Sequence, residues 1–143
     1  MGDTPRNIDE RTAAGITADS PRVLLRIEGA VLLAMSLFMY SRYGRTWWLF
    51  AILLLAPDIG MLGYLASARI GAATYNVFHT YFGPAALSIV GIAVDRPAIY
   101  SIGFIWFAHI GLDRALGYGL KYSDGFQHTH LGMIGRAADR RNA

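Results

Sequence analysis

The sequence contains no cysteine, so disulfide bonds and thiolate metal sites are excluded. Charged residues make up only 16% of its 143 residues, whereas a soluble domain carries about 25%. The sequence also lacks the short basic stretch and following apolar core with which a signal peptide begins. Its formal net charge of +3 is small, which favours loop charges that orient a membrane protein and indicates no nucleic-acid partner.

Long apolar runs fill most of the chain instead. They cover about 23–41, 46–65, 72–94 and 97–116, and each is long enough for an α-helix to cross a hydrocarbon core of about 30 Å. A soluble helical bundle would need a polar face on every helix, and residues 51–56 offer none. The sequence therefore predicts an all-α membrane protein, built as an antiparallel four-helix transmembrane bundle.

Polar segments flank the apolar part of the chain. Residues 1–22 are predicted to form a disordered polar N-terminal tail, residues 23–116 the transmembrane domain, and residues 117–143 a cytoplasmic C-terminal segment with turn residues. Ten of the 13 Lys and Arg residues lie on the side of the two termini, so the positive-inside rule places both termini in the cytoplasm. We expect a multi-pass protein of the cell inner (plasma) membrane, with membrane lipids as partners.

Each predicted helix carries one ionisable group at a similar depth: Glu28, Asp58, His79 and His109. Counted at 1.5 Å per residue, these groups lie about 8 to 10 Å from the cytoplasmic helix ends. Ionisable groups are costly inside a membrane and mark functional sites by default. Their shared depth predicts one pocket in the cytoplasmic half of the bundle.

His109 and Asp113 are four residues apart and share one face of the fourth helix. An imidazole and a carboxylate at this spacing can bind one metal ion, or can simply pair with each other. His79 and Asp58 are candidate ligands from neighbouring helices, and His130 is a candidate from the C-terminal segment. Such a set suits Zn, Mn or Fe, which would activate water and polarise a phosphoryl or acyl oxygen.

Other polar residues have candidate roles in catalysis and substrate binding. Asp58 is a candidate ligand or general base, and Glu28 is a second candidate catalytic carboxylate. Arg26 and Arg114 lie at the rim, where guanidinium groups hold phosphate well, and Asn76 is a third candidate substrate-binding residue. For Arg26, a structural ion pair or a side chain that snorkels to the headgroups is the alternative.

The leading functional hypothesis is a metal-dependent hydrolase that acts on a membrane-associated, phosphorylated substrate. A small proton-coupled transporter or carrier is an alternative, in which His79, His109 and Asp113 relay protons. Polar groups confined to one half of the bundle favour the hydrolase, because a transport path is lined on both sides. A non-catalytic assembly subunit with a structural polar core is the third possibility.

Four segments resemble domain-of-unknown-function family 4260, which contains small bacterial membrane proteins without an assigned activity. They are Leu-Ala-Pro-Asp-Ile-Gly-Met-Leu-Gly-Tyr (55–64), Tyr-Asn-Val-Phe-His-Thr-Tyr (75–81), Ala-His-Ile-Gly-Leu-Asp-Arg-Ala-Leu-Gly-Tyr-Gly-Leu-Lys-Tyr (108–122) and Thr-His-Leu-Gly (129–132). The resemblance covers about Leu24 to Gly135. It implies a membrane protein and no particular reaction.

The sequence is also similar to membrane-bound metal-dependent hydrolases of the SOS-regulated family. Those proteins carry a Pro-Asp after an apolar helix, a helix with histidine and a His-x-x-x-Asp helix. The similarity implies four metal ligands: Asp58, His79, His109 and Asp113. Because that family has two histidines where this chain has His79 alone, the similarity implies a further ligand from His130 or Glu28.

Overall fold

The computed structural model describes residues 6–44 and 46–133. Its helices are α1 (Arg6–Tyr43), α2 (Trp47–Leu54), a 3-10 helix (Ala56–Leu65), α3 (Ala68–Phe78), α4 (Phe82–Ala93) and α5 (Pro97–Leu116). Two short strands follow, β1 (His128–Thr129) and β2 (Gly132–Met133), and they pair antiparallel. The prediction of a helical chain is confirmed, while the four crossings and the side of the termini stay predictions.

Helices α1 and α5 pack antiparallel through small residues. A Cβ atom at Gly111 would lie 2.7 Å from the Leu33 amide nitrogen and 2.8 Å from the Gly29 carbonyl oxygen. Farther along the pair, the Ser101 hydroxyl donates a hydrogen bond of 3.2 Å to the Tyr43 carbonyl. Glycine lets two helices approach this closely because it has no side chain between their backbones.

The core lies where α1, α2 and α5 meet. Its buried members are Tyr40, Phe50, Ile105 and Ala108, and leucines of α1 and α2 pack against them. The Tyr40 hydroxyl donates to the Thr46 carbonyl at 2.7 Å, as a buried phenol needs a hydrogen-bond partner. These contacts fix the middle of α5, at Ile105 and Ala108, and thereby position its last two turns.

The predicted second helix is divided into α2 and the 3-10 helix. Pro57 lies in the first turn of the 3-10 helix, where its missing N–H does not break a hydrogen bond. Gly60 then allows α3 to approach, since a Cβ there would lie 3.0 Å from the Thr74 carbonyl oxygen. Despite the change of helix type, Trp47–Leu65 is long and apolar enough to cross a membrane, as is Pro21–Tyr43.

The predicted third helix is also divided. α3 ends at Phe78 and α4 begins at Phe82, so His79 lies at the break rather than inside a continuous helix. Pro84 favours this break, because proline lacks an amide donor and fits the first turn of a helix better than its interior, although α1 continues through Pro21. α4 then packs antiparallel to α5, with Gly83 against Trp106 and Gly91 against Tyr100.

The fourth predicted helix coincides with α5, which starts at Pro97 and ends at a left-handed Gly117 with φ 94°. At the other end of the chain, α1 begins at Arg6, within the segment predicted to form a polar tail. Alanine, arginine and glutamate in residues 6–22 are compatible with a helix. The domain boundaries stay a prediction, and residues 1–5 and 134–143, which include three arginines counted for orientation, lie outside the described residues.

Candidate metal centre

Four predicted ligands come from three elements and meet in one place. Asp58 lies in the 3-10 helix, His79 at the end of α3, and His109 and Asp113 on α5. The two histidines are each 3% exposed, whereas the side chains of Asp58 and Asp113 are 34% and 18% exposed. The break after α3 and the proline at the start of the 3-10 helix thus place His79 and Asp58 against the last turns of α5, which carry His109 and Asp113.

The ligand atoms of these residues all lie within 4.8 Å of one another. His79 Nε2 is 2.9 Å from His109 Nε2 and 3.3 Å from Asp113 Oδ2. Asp58 Oδ1 lies 3.6 Å from each Nε2 atom, and His109 Nε2 is 3.8 Å from Asp113 Oδ2. Ligands placed tetrahedrally at about 2.0 Å from a zinc ion would be about 3.3 Å apart. The arrangement therefore fits one small divalent ion held by two imidazoles and two carboxylates.

Backbone groups orient both imidazoles. His79 Nδ1 lies 2.8 Å from the Tyr75 carbonyl oxygen, and because a carbonyl only accepts, Nδ1 carries the proton. His109 forms a hydrogen bond with the backbone of Leu54, at the end of α2. Metal-binding histidines commonly donate their second N–H in this way, which fixes the tautomer and the orientation of the ring.

The position of the proton on each ring decides whether the two facing nitrogens attract or repel each other. In the neutral state, an imidazole that donates through one nitrogen presents a lone pair at the other. If both rings carry their proton on the other nitrogen, two such lone pairs face each other at the 2.9 Å between His79 Nε2 and His109 Nε2, whereas a proton on His109 Nε2 would be donated to His79. A cation between the rings removes the repulsion, and either a metal ion or one additional shared proton can serve.

Tyr75 contacts two of the four ligands. Its ring stacks on the His79 imidazole, with centroids 3.6 Å apart and planes at 12°, and its hydroxyl donates to Asp113 Oδ2 at 3.0 Å. The residue is 1% exposed. From the sequence, Tyr75 is expected to be an interface anchor or packing residue. In the sequence, Tyr75 precedes His79 by four residues and therefore shares a helix face with it. This spacing could have indicated that Tyr75 contacts His79.

The C-terminal segment folds back onto α3. The Asn76 side chain accepts from the Lys121 amide at 2.7 Å and donates to the Lys121 carbonyl at 2.9 Å. Lys121 is 5% exposed, and its Nζ lies 4.6 Å from the centre of the Tyr75 ring. Burial lowers the pKa of Lys121, while attraction by the carboxylates of Asp113 and Asp58 acts in the opposite direction.

The sequence does not single out Lys121, although it is the only lysine in the chain. Asn76, a candidate substrate-binding residue, uses both ends of its amide on the Lys121 backbone in this structure.

Three other predicted site residues lie apart from the four-ligand group. Glu28 is exposed on α1. Arg26 is also exposed there, and its Nε donates to the Ala115 carbonyl at 3.0 Å, which ties α1 to the end of α5. His130 Nδ1 accepts from the Leu120 amide at 2.8 Å. The structure thus brings none of the three among the four ligands, and their predicted roles stay predictions.

Arg114 lies beside the group. It lines a small cavity together with His79, Asp113 and the Tyr118–Leu120 segment, and its guanidinium carbon is 4.1 Å from the centre of the Tyr81 ring. Stacking on an aromatic face is a common arrangement for arginine that leaves its N–H groups available for anions. Among the predicted substrate-binding residues, Arg114 is therefore the one that borders space next to the ligands.

The fold and the site define a helical protein with two segments long and apolar enough to cross a membrane and a His/Asp group that could hold a metal ion. The chain belongs to the family described as domain of unknown function (DUF4260), whose model matches residues 22–134. Searches of curated proteins and of solved structures found no significant match. The similarity to SOS-regulated hydrolases is not shown by these comparisons.

Proposed function

We propose that the protein is a multi-pass membrane protein with a cytoplasm-facing metal centre that hydrolyses a membrane-associated, phosphorylated substrate. The observation that carries this proposal is the convergence of Asp58, His79, His109 and Asp113, whose ligand atoms lie within 4.8 Å of one another. Zn, Mn or Fe suits this donor set. A bound divalent ion would supply Lewis acidity and an activated water.

Exposed apolar side chains support the membrane assignment. Large apolar residues that are more than half exposed occur on all the helices, and they include Val23, Leu24, Ile27, Val31, Met35, Phe38, Ile52, Leu62, Leu65, Val77, Phe82, Ile89, Ile92 and Leu116. Soluble monomers rarely expose large contiguous apolar patches. A lipid environment accounts for so much exposed apolar surface.

The residues beside the metal centre have separate roles in the proposed reaction. Asp58 is the most exposed of the four ligands, so it is the ligand best placed to accept a proton from an incoming water. Arg114 borders the small cavity next to Asp113 and His79, so its guanidinium is placed to attract a substrate phosphate that approaches these residues.

Metal content and phosphate release test the proposal. We expect detergent-purified protein to contain close to one divalent metal ion per chain by elemental analysis, and to release inorganic phosphate from phosphatidate in mixed micelles. The His109→Ala variant should lose both properties, because it removes one of four ligands. His128→Ala is the matched control, since His128 pairs with Asp124 at 2.8 Å on the C-terminal loop. Wild-type protein that contains no divalent metal after purification and reconstitution would refute the metal centre.

The close contact of the two histidines favours a second candidate, a proton-coupled carrier. His79 Nε2 and His109 Nε2 are 2.9 Å apart, a distance at which a proton passes between rings, and Asp113 is the adjacent acceptor. A liposome flux assay distinguishes the candidates, because Asp113→Asn would abolish proton-coupled flux in a carrier. If the variants lower stability alone, without effect on metal, flux or turnover, the polar core serves assembly.

A further inference from the structure

Lys121 is a buried cation near two half-buried carboxylates, those of Asp58 and Asp113. Its Nζ donates to the Phe126 carbonyl at 3.1 Å and lies 3.6 Å from the centre of the Phe126 ring. The other aromatic neighbour is Tyr75, whose ring centre is 4.6 Å away. Since the His79 imidazole covers one face of the Tyr75 ring at 3.6 Å, the ammonium lies over the opposite face.

The arrangement places a positive charge one aromatic ring away from the metal ligands. Two carboxylates whose oxygens lie within 4.8 Å of each other repel, and the repulsion grows in a partly buried site. The Lys121 ammonium is attracted by both, with Asp113 the stronger partner. It therefore offsets part of their charge when no metal ion is present.

We propose that Lys121 is the resident counter-ion of the metal-free site, and that a divalent ion takes over this role when it binds. The inference rests on the metal centre proposed above and adds how the empty centre is stabilised. An ion of charge +2 neutralises Asp58 and Asp113, after which these carboxylates no longer attract the ammonium. Lysine and metal thus compete for the same negative charge.

Competition has a thermodynamic consequence. If metal binding weakens the attraction of Lys121 to the site, the charge of Lys121 must weaken metal binding by the same factor. The C-terminal segment, which carries Lys121 and is fastened to α3 through Asn76, then sets the metal affinity. A lysine in this position keeps the empty site folded and the metal exchangeable.

Zn²⁺ binding to charge variants of the full-length protein in detergent tests the inference. Lys121→Met keeps an apolar stem against Tyr75 and Phe126 but removes the charge. We expect it to bind Zn²⁺ about tenfold more tightly, since one charge across a partly buried site changes affinity on that scale, while its metal-free form unfolds at a lower temperature. Lys121→Arg should restore wild-type behaviour on both measurements.

A matched control removes the same charge elsewhere. Arg69 is exposed at the start of α3, ten residues and about 15 Å along the chain direction from His79, so Arg69→Gln should leave Zn²⁺ affinity unchanged. If Lys121→Met loses stability equally with and without Zn²⁺, and its affinity does not rise, Lys121 is only a packing residue and the inference is wrong. Wild-type protein that binds no Zn²⁺ would overturn the proposed function together with the inference.

A measurement on the unmodified protein gives independent support. Because Lys121 is the only lysine, an amine-reactive ester followed by peptide mass spectrometry reports its accessibility without ambiguity. Zn²⁺ should accelerate the labelling of Lys121 several-fold in the wild type and have no effect in His109→Ala. Labelling that is unchanged by saturating Zn²⁺ would contradict the competition while leaving the metal centre intact.

Discussion

Each of the two buried histidines has one ring nitrogen directed at the other histidine and a hydrogen bond to a backbone group. For His79 the partner is the Tyr75 carbonyl, and for His109 it is Leu54. Backbone partners orient a ring without adding a further ionisable group to the site. The geometry of the two residues therefore directs both Nε2 atoms toward the place that could hold a metal ion.

Tyr75 is the residue whose removal tests the orientation of the ligands most directly. Tyr75→Phe keeps the ring stacked on His79 and the backbone carbonyl, but loses the hydroxyl that donates to Asp113. We expect Zn²⁺ affinity to fall about 10- to 100-fold, as is usual when a hydrogen-bond partner of a metal ligand is lost. Calorimetry on the detergent-solubilised protein measures the affinity, and Co²⁺ absorption reports the coordination geometry.

Tyr64→Phe is the control for that substitution. The Tyr64 hydroxyl is buried without a hydrogen-bond partner among the described residues, so its loss should leave the Zn²⁺ affinity and the Co²⁺ spectrum unchanged. Equal behaviour of the two tyrosine variants would show that the Tyr75 hydroxyl does not orient Asp113.

At the scale of the elements, helix breaks bring the ligands together. Asp58 follows Pro57 at the start of the 3-10 helix, and His79 caps the end of α3, shortly before α4 begins around Pro84. The two remaining ligands lie one turn apart on α5, an unbroken helix. The start of the 3-10 helix and the end of α3 thus supply one ligand each, while the uninterrupted α5 supplies two.

The α1–α5 contact is the element-level feature that is easiest to perturb. A Cβ at Gly111 would lie 2.7 Å from the Leu33 amide nitrogen, and since this atom belongs to the backbone, the two helices must separate. We expect Gly111→Ala to lower the free energy of unfolding by about 1–3 kcal/mol, the usual effect of overpacking. Denaturant titration in detergent measures it.

Gly125→Ala provides the comparison, because a Cβ at Gly125 would meet no atom within 4 Å. Its stability should match the wild type. A Gly111→Ala protein as stable as Gly125→Ala would mean that α1 and α5 are not in contact as described.

At the scale of the whole molecule, the predicted orientation in a membrane would decide which compartment supplies the proposed substrate and metal. The distribution of Lys and Arg predicts both termini in the cytoplasm. That prediction places the α1–α2 loop outside and the C-terminal segment inside. The absence of cysteine makes the test direct, because any introduced cysteine is the only one.

Thr46→Cys and Ser123→Cys should therefore label differently with a membrane-impermeant maleimide on intact spheroplasts. Thr46 is exposed before α2 and its side chain forms no capping hydrogen bond, so it should react from outside. Ser123 is exposed in the C-terminal segment and should react only after permeabilisation. The opposite labelling pattern would show that the topology is inverted and that the candidate metal centre faces the outer side.

Much of the fold was predictable from local sequence, because the length of an apolar run indicates a helix and a proline affects the backbone hydrogen bonds of its neighbours. The fourth run, predicted over about 97–116, coincides with α5, whereas the second and third runs were each expected to be one helix and are two. Mean hydropathy does not reveal a helix break, because an apolar segment has the same mean hydropathy whether or not its backbone hydrogen bonds are continuous. Pro57 and Pro84 favour the two breaks because they lack amide donors, but proline alone does not decide a break, since α1 continues through Pro21.

Residue types and spacing in the sequence were sufficient to propose Asp58, His79, His109 and Asp113 as one group, since burial of ionisable side chains in apolar helices is unfavourable unless they find partners. Tertiary packing alone decided that Glu28 and His130 lie apart from that group, and that Tyr75 and Lys121 lie against it. The physical reason is distance along the chain: α3 and the C-terminal segment meet 45 residues apart, through Asn76 and Lys121. A contact of that range depends on how helices pack, which no local pattern encodes.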